Sequence, residues 1–426
     1  MQVLERSREF LRRQNHNYRM LLVRASGATF LMNLTSSYQS IYTTALGADP
    51  VTLGTMSSVS STINMVISLP SGWISDRYDL KKVMGIGMAF QVLMIALYAL
   101  AQDWRWILVA MMVSPFTMAL MFRSQNVMFS RALRDEERAQ GFALRQVIAS
   151  TIGIVAPIPA ALLIDYFGGL TVQGIRPMYY IRFIGLAITY GYVYMKLDSV
   201  PPAPRPKGEK VNFLRDIREV FSEGEGLKAF LVVSALGSFI MGMTMSFIFL
   251  YAAEVKGADT LTLGLLSTAS TLSSIIFAIP MSRLADSRGR KLAFLLNRPA
   301  RFLFFLILVY APHPSWLILA WAFRGISMSG SSYQTWMLEL VPSEKRGRWL
   351  GVTNTVNSLV RIPAPIIGGM IYDGVNPGLI FLISVILEAV IRLPIVYFKI
   401  PETLKKNSVA LESLKKEGES TSPSPA

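Results

Sequence analysis

Side chains that could do covalent chemistry are scarce in this chain. It has no cysteine, and its two histidines, His16 and His313, lie in predicted loops. Disulfides, thiolate metal sites and cysteine nucleophiles are therefore excluded, and no histidine-rich metal cluster is present in the sequence. Paired midplane acids, a nucleophile with a nearby base, and a glycine-rich nucleotide loop with Lys and Ser or Thr are missing too. We predict that the chain is not an enzyme and uses no metal and no cofactor.

The remaining candidates are arginines inside long apolar segments. Arg324 and Arg361 lie farthest from the ends of the predicted helices. A cation near the middle of a bilayer costs at least about 3 kcal/mol, so it normally faces a cavity or a partner. These two residues are therefore the best candidates for a functional site. The alternative for Arg361 is a buried ion pair with Glu388, and the alternative for Arg324 is a structural role.

The other arginines in apolar segments have simpler explanations. Arg392 follows Glu388 by four residues, which places both on one helix face as an ion pair. For Arg298 and Arg301 we expect contacts with lipid headgroups or loops. The arginines close to predicted helix ends, from which the guanidinium can reach the interface, are Arg24, Arg123, Arg145 and Arg182.

The elements that position these residues are membrane helices. Of 426 residues, 52% are hydrophobic and only 16% are charged, which excludes an ordinary soluble domain. Runs of about twenty apolar residues cross a bilayer as helices, because the backbone must satisfy its own hydrogen bonds there. We predict an all-α membrane protein with twelve transmembrane helices, approximately at 20–45, 50–75, 83–102, 105–129, 140–167, 177–197, 228–253, 259–283, 292–311, 315–340, 349–372 and 377–399.

The basic residues predict the orientation of these helices. With both termini in the cytoplasm, the outer loops carry only Arg105, Arg176 and Lys256, while the cytoplasmic segments hold most of the other Lys and Arg. The net charge of +15 thus follows the membrane and does not indicate a nucleic-acid partner. We predict a multi-pass protein of the cell membrane, with both termini cytoplasmic, that is a monomer in the lipid bilayer.

Two polar stretches divide the chain. We predict a cytoplasmic segment at 1–18, a six-helix bundle at 19–198, a cytoplasmic linker at 199–226, a second six-helix bundle at 227–400 and a disordered cytoplasmic tail at 401–426. The linker is rich in proline, and the tail is too polar to bury a core.

The two bundles repeat one design. At an offset of 210 residues the chain aligns Gly47-Ala48-Asp49 with Gly257-Ala258-Asp259 and Thr52-Leu53-Gly54 with Thr262-Leu263-Gly264. At an offset of 208 it aligns Ala156-Pro157-Ile158 with Ala364-Pro365-Ile366. Two six-helix halves related by a pseudo-twofold axis place a binding site between them near the bilayer midplane.

One loop in each half carries a motif. The first copy is Gly72-Trp73-Ile74-Ser75-Asp76-Arg77-Tyr78-Asp79-Leu80-Lys81-Lys82, and the second runs from Ser282 to Lys291. Here the sequence resembles the major facilitator superfamily, whose hallmark in this loop is Gly-x-Leu-Ala-Asp-Arg-x-Gly-Arg-Lys. The first copy has Asp79 in place of the usual Gly, whereas the second keeps Gly289, Arg290 and Lys291. The resemblance extends to the helix number, the orientation, the linker and the repeat.

The resemblance implies gating by this loop. In the family the first copy forms a cytoplasmic lock with the eleventh helix, which assigns gating to Asp76 and Arg77. The gating set implied by both copies is Gly72, Asp76, Arg77, Asp286, Arg290 and Lys291. The alternative is that these residues only follow the positive-inside rule and tighten the loop.

The resemblance also implies a function, secondary transport of a small solute by alternating access. The candidate substrate-binding residues are Arg324, Arg361, Tyr38, Gln39, Tyr42, Tyr333 and Gln334. Glu388 is the only acid well inside a predicted span, so the excess of arginine favours an anionic or neutral organic solute. The alternatives are an exporter of multiple drugs or lipophilic compounds in the same superfamily, and a membrane receptor or scaffold that does not transport.

Overall fold

The computed structural model describes residues 10, 13–201, 225–329, 332–341 and 346–402. Within these ranges, the side chains at 68–77, 123, 135, 139, 225, 332, 334, 347 and 348 lie outside the description. The described residues form helices joined by short turns, which confirms the all-α prediction. Most of the predicted segment 1–18, linker 199–226 and tail 401–426 falls outside the described ranges.

The first half contains six helical elements. Their bounds are α1 (His16–Asn33, then Gln39–Ala45), α2 (Pro50–Arg77), α3 (Leu80–Leu100), α4 (Trp104–Thr117, a π-helical turn Met118–Phe122, then Arg123–Ala132), α5 (Arg138–Ile154, then Pro157–Tyr166) and α6 (Val172–Lys196).

The second half repeats this order. Its elements are α7 (Glu225–Met245, then Ile248–Glu254), α8 (Thr260–Arg288), α9 (Arg290–Tyr310), α10 (Trp316–Met328, then Ser332–Glu339), α11 (Arg346–Arg361, then Ala364–Gly374) and α12 (Leu379–Ile386, a π-helical turn Leu387–Arg392, then Leu393–Lys399). Helices α5 and α11 both break at the repeated Ala-Pro-Ile, because proline cannot continue the hydrogen bonds of the preceding turn. Helices α1 and α7 break just before Tyr38 and Phe247, at equivalent places in the two halves.

Every predicted span contains helix, and seven helices in the described part are long and apolar enough to cross a membrane. They belong to α3, α4, α5, α7, α8, α9 and α12. Among the other five, α2 and α11 carry polar residues such as Asn64 and Asn354, which face the space between the halves. Their lower hydropathy follows from that position, and the full number of crossings stays a prediction.

The two ends of the bundle differ. We call the end that carries the start of α1 and the ends of α6 and α12 the basic face, and the other end the opposite face. At the basic face, His16 Nε2 lies 2.8 Å from the carbonyl oxygen of Lys196. At the opposite face, Arg176 donates to the carbonyl of Ala101 at 2.5 Å and Lys256 to that of Ala311 at 3.1 Å. Both acceptors end a helix, α3 or α9, where unpaired carbonyls attract a cation. Two of the three basic residues predicted in outer loops therefore stabilise helix ends.

A charge cluster holds α7, α9 and α12 together inside the second half. Glu388 is 1% exposed and pairs with Arg298 at 2.8 Å, Arg301 at 3.2 Å and Arg392 at 2.9 Å. Arg392 also donates to the carbonyl of Val233 on α7 at 2.9 Å. The predicted pair of Glu388 with Arg392 is confirmed. The expectation of headgroup or loop contacts for Arg298 and Arg301 was wrong, because both point inward to this carboxylate.

Two arginines are buried inside the first half as well. Arg24 is 2% exposed and donates to Gln125 Oε1 at 2.5 Å, and Arg182 is 6% exposed and donates to Thr35 Oγ1 at 2.6 Å. The expectation that both reach the interface was wrong, since each finds a neutral acceptor on a neighbouring helix. The interior of the protein therefore carries more positive than negative charge.

Replacing Glu388 tests the cluster. In Glu388→Gln the three arginines lose their shared carboxylate, and removal of one partner from a buried ion pair costs about 3–5 kcal/mol. We expect a clearly lower melting temperature in detergent, followed by tryptophan fluorescence. Glu254→Gln is the control, because the exposed Glu254 accepts a long 3.5 Å bond from Thr44 and has no described ion pair. Equal melting temperatures for wild type and Glu388→Gln would contradict a stabilising role.

Candidate functional site

Two chambers lie between the halves. Chamber A, about 470 Å³, is lined by α1, α2, α4, α7, α8 and α10 and lies nearer the opposite face. Chamber B, about 560 Å³, is lined by α2, α4, α7 and α11 and lies nearer the basic face. On α2, Leu53 lines chamber A and Ser60 lines chamber B, a rise of about 10 Å along the helix. The chambers therefore follow one another across the membrane.

Chamber A combines apolar walls with one cation. Its wall includes four methionines, Met32, Met111, Met245 and Met328. Methionine is flexible and polarizable, so such a wall can adapt to differently shaped apolar groups. Arg324 faces the same space and donates to Ser270 Oγ at 3.3 Å. A Cβ on the next residue, Gly325, would overlap the Ser270 carbonyl, so glycine lets α10 and α8 approach closely here.

Chamber B is mainly polar. Amides and hydroxyls surround one guanidinium, that of Arg361. The polar residues are Ser60, Ser61, Asn64, Ser114, Ser238, Asn354, Asn357, Ser358 and Arg361. Among the described residues that line either chamber, none is acidic. The charge that the described lining of each chamber carries is thus a single guanidinium, Arg324 in chamber A and Arg361 in chamber B.

Glycine–proline contacts join the halves toward the opposite face, and two of them are copies of each other in the internal repeat. On α2, a Cβ added to Gly54 would overlap the carbonyl oxygen of Pro365 on α11. On α8, a Cβ added to Gly264 would lie 2.8 Å from the carbonyl oxygen of Pro157 on α5. Backbones can approach this closely only where one residue has no side chain. We call these two contacts the clasps.

Two serine pairs lie beside the clasps. Ser37 on α1 and Ser267 on α8 have their hydroxyl oxygens 2.5 Å apart, and those of Ser57 on α2 and Ser246 on α7 are 3.0 Å apart. Ser246 and Ser267 also line chamber A. The hydroxyl of Tyr38 donates to the carbonyl of Thr260 across the same interface at 2.9 Å. The Ser57–Ser246 pair lies on α2 between the level of Leu53 in chamber A and that of Ser60 in chamber B. The Ser37–Ser267 and Tyr38–Thr260 contacts join the halves nearer the opposite face.

The clasps and the serine pairs obey the internal repeat. Gly54 corresponds to Gly264 and Pro157 to Pro365, so each clasp is the pseudo-twofold copy of the other. The sequence comparison had already aligned these residues, but they were not predicted as functional. The alignment does not show that Gly54 on α2 contacts α11 and that Gly264 on α8 contacts α5 across the pseudo-twofold axis.

Three of the predicted substrate-binding residues face a chamber. Gln39 and Arg324 line chamber A, and Arg361 lines chamber B. Glu388 is held by three other arginines, so the alternative pairing of Arg361 with Glu388 is not found.

The other predicted substrate residues lie elsewhere. Tyr38 and Tyr42 are fully buried, and Tyr42 donates to the carbonyl of Tyr98 at 3.1 Å. Tyr333 stacks on Phe230 in the second half, with ring centroids 4.9 Å apart. None of these three tyrosines lines a chamber. The side chain of Gln334 lies outside the described residues.

The predicted gating residues of the second copy bind within their own half. Arg290 contacts Asp286 at 2.7 Å and Glu339 at 3.4 Å. Lys291 donates to the carbonyls of Tyr397 and Ile400 at 2.7 and 2.8 Å. They connect α8, α9, α10 and the end of α12 at the basic face. The side chains of Gly72, Asp76 and Arg77 lie outside the described residues, so their gating role stays a prediction.

The two motif copies cap the following helix differently. In the first, Asp79 accepts from the backbone N–H of Lys81 at 2.8 Å. Desolvation alone would raise the pKa of Asp79, but hydrogen bonds from Ser199 and the backbone outweigh it and lower the pKa. In the second, the equivalent residue is Gly289, and the carboxylate of Glu402 accepts from the N–H of Arg290 at 3.1 Å. The carboxylate missing from the second copy is thus supplied by the end of α12.

The comparisons with known proteins agree with this architecture. The model of the Major Facilitator Superfamily matches residues 20–365 and 257–423. Among curated proteins, none matches the chain.

Solved transporters share the fold at low sequence identity. A mutant form of the nucleoside transporter NupG is 16% identical, with a TM-score of 0.74 over 89% of this chain and 99% of that one. A bacterial homologue of the human lysosomal transporter Spinster, inward-facing and occupied, is 12% identical, with a TM-score of 0.64 over 90% and 95%. A POT family transporter in complex with a thioalcohol-conjugated peptide is 16% identical, with a TM-score of 0.62 over 90% and 95%. The predicted fold is confirmed.

Substitution at a clasp tests its role in closure. In Gly264→Val the new side chain would collide with Pro157, and overpacking costs about 1–3 kcal/mol, which corresponds to roughly a tenfold shift away from the closed opposite face. A cysteine introduced at Ser40 in chamber A is a unique label, because the chain has none of its own. We expect an impermeant maleimide added at the opposite face to label this cysteine about tenfold faster in the Gly264→Val protein than in the Ser40→Cys protein that keeps Gly264.

Gly351 provides the matched control, since a Cβ there meets nothing within 4 Å. Gly351→Val should leave labelling unchanged. Equal labelling rates in Gly264→Val and Gly351→Val would exclude the clasp as a barrier.

Proposed function

The chain belongs to the major facilitator superfamily, and on that premise we propose that it is a secondary transporter of a small organic solute, anionic or neutral, working by alternating access. The observation that carries this proposal is the pair of chambers between two halves that touch, toward one face, through repeated small-residue contacts. A binding space at the boundary of two rigid bundles can open to either side when one bundle rocks against the other.

The contacts beside chamber A suit repeated opening. A hydrogen bond such as that between Ser57 and Ser246 contributes about 0.5–1.5 kcal/mol net. Water can replace it when the halves separate. The clasps add close packing but no charge. Opening therefore breaks no ion pair at this face among the described contacts, and the energy difference between the closed and open states can stay small enough for a solute to shift it.

At the basic face we propose that Asp76 and Arg77, with Gly72, form the gate that the family resemblance implies. Their counterparts Asp286, Arg290 and Lys291 support this by analogy, because they connect four helices of the second half. The excess of Lys and Arg at this face supports a cytoplasmic location for it and for both termini. We further propose that the protein works as a monomer in the cell membrane.

A second candidate function is export of lipophilic compounds. The methionine-rich wall of chamber A favours it, since such walls accept varied apolar groups. The two unopposed arginines argue against the cationic drugs that such exporters commonly carry. In a scaffold that does not transport, the chambers would need to open to only one side of the membrane.

A disulfide staple separates a transporter from a scaffold. In Ser57→Cys/Ser246→Cys the thiols replace hydroxyls 3.0 Å apart, so oxidation should tie the two halves together at this level and prevent them from separating toward the opposite face. With Ser40→Cys as reporter in vesicles, and its label located by peptide mapping because the other two thiols also react, we expect labelling of Ser40→Cys from both sides in reduced protein and loss of its labelling from the opposite face after oxidation. Reductant should restore labelling from the opposite face.

Single variants Ser57→Cys and Ser246→Cys are the controls and should label from both sides under either condition. Labelling from one side only in the reduced protein would support a scaffold and refute alternating access.

The gate at the basic face has its own test. Asp76→Asn removes a carboxylate that we propose stabilises closure of this face, so a cysteine at Ser60 in chamber B should label at least about threefold faster from the basic face. Asp286→Asn is the matched control, because the carboxylate of Asp286 binds Arg290 inside its own half. If the two variants label alike, Asp76 is not a gate.

A further inference from the structure

Arg361 is exceptional among the arginines inside the membrane. Those with described side chains are Arg24, Arg145, Arg182, Arg298, Arg301, Arg324, Arg361 and Arg392. Arg145 donates to Asn126 Oδ1 at 3.4 Å, Arg324 to Ser270, and the others to the groups given above. In the described part of the chain, the Arg361 guanidinium has no hydrogen bond and no ion pair, although it is exposed to chamber B.

The side chain is built into the wall of the chamber. Its Cγ would lie 3.2 Å from a Cβ on Gly242 of α7, so the missing side chain of Gly242 leaves room for the stem. The guanidinium end faces a space whose other lining groups are neutral. A cation in the middle of the membrane with no partner is costly, and the cost falls when an anion binds it.

A second group in chamber B also lacks a partner. Asn357 donates from its amide nitrogen to Ser234 Oγ at 2.9 Å, while its Oδ1 is buried and has no hydrogen bond in the structure. Buried amide oxygens are nearly always hydrogen-bonded. That oxygen is enclosed by protein atoms, so the unpaired polar group that a molecule in the chamber can reach is the guanidinium of Arg361.

The charges around the chamber select against other ligands. Glu388 is a buried acid of the second half, but its carboxylate already pairs with three arginines and is not free to bind a cationic solute. A cationic solute would meet Arg361 and Arg324 with no described carboxylate in either chamber. A planar guanidinium binds carboxylate and phosphate oxygens through two parallel hydrogen bonds.

We propose that chamber B is an oxyanion site in which Arg361 binds the carboxylate or phosphate of a small organic anion, while the serine and asparagine side chains of the lining surround the rest of the molecule. This assignment rests on the proposed transport function and names the class of its substrate. Arg324 is the next cation that the anion meets on the way to chamber A.

Thermal unfolding of the full-length protein in neutral detergent tests the site. The probes are inorganic phosphate and glycerol 3-phosphate, each compared with chloride at equal ionic strength and with glycerol. We expect both phosphates to raise the melting temperature of wild type, with the organic one effective at lower concentration. Glycerol and chloride should have no such effect.

Variants identify the residue. In Arg361→Gln the phosphate concentration that gives half of the maximal rise in melting temperature should increase at least tenfold. Arg361→Lys keeps the charge but loses the two parallel hydrogen bonds of the guanidinium, so its half-maximal concentration should lie between those of wild type and Arg361→Gln. Arg145→Gln is the matched control, since Arg145 lies in the first half and bonds to a neutral amide. It should respond as wild type does. A structural role for Arg361 would lower the melting temperature without changing the response to phosphate.

The proposal is overturned if phosphate does not raise the melting temperature of wild type, or if Arg361→Gln responds to phosphate as wild type does. It is also overturned if phosphatidylglycerol added to the micelles gives the same rise at equal headgroup concentration, since the site would then bind a lipid headgroup. Two-sided labelling at Ser40 uses no ligand and so reports on transport separately. Two-sided labelling without an anion response removes only the substrate class. An anion response with one-sided labelling keeps the site and removes the transport function.

Discussion

The close approach of two backbones at Gly54 with Pro365, and again at Gly264 with Pro157, is the contact on which the rest of the arrangement depends. It occurs twice because the chain contains an internal repeat. It joins the halves because each glycine–proline pair has one residue in the first half and one in the second. Each proline has no N–H to donate to the carbonyl four residues earlier, so its helix breaks at this place. Small changes at these positions therefore act on the relation between the halves rather than on either half alone.

The chambers follow from that contact. The halves meet closely toward one face, and the polar residues of α2, α4, α7 and α11 line the space that remains toward the other. Each half keeps its own stability through buried arginines: Arg24 and Arg182 bond to neutral groups in the first, and three arginines share Glu388 in the second. The described lining of each chamber carries one arginine and no acid, which is the electrostatic basis of the proposed preference for anions.

The fold could be predicted from the sequence because apolar length, basic loops and the repeat each point to the same architecture. The site was predicted only in part. Arg324, Arg361 and Gln39 face the chambers, since a deep polar residue needs a cavity or a partner. Arg298 and Arg301 were misassigned, since helical spacing reveals partners within one helix, such as Glu388 with Arg392, but not partners on another. Tyr38 and Tyr42 are amphipathic side chains whose rings pack equally well in an interface, and spacing does not distinguish the two.

The central claim, that the halves separate at the clasped face and return, can be measured as a distance. Spin labels at Ala45→Cys on α1 and Lys256→Cys after α7 span the opposite face, next to the 3.5 Å contact of Thr44 with Glu254. Double electron–electron resonance in lipid nanodiscs should give two populations, one short and one at least about 10 Å longer, with the long one increased in Gly264→Val. A single short distance in both proteins would contradict the account.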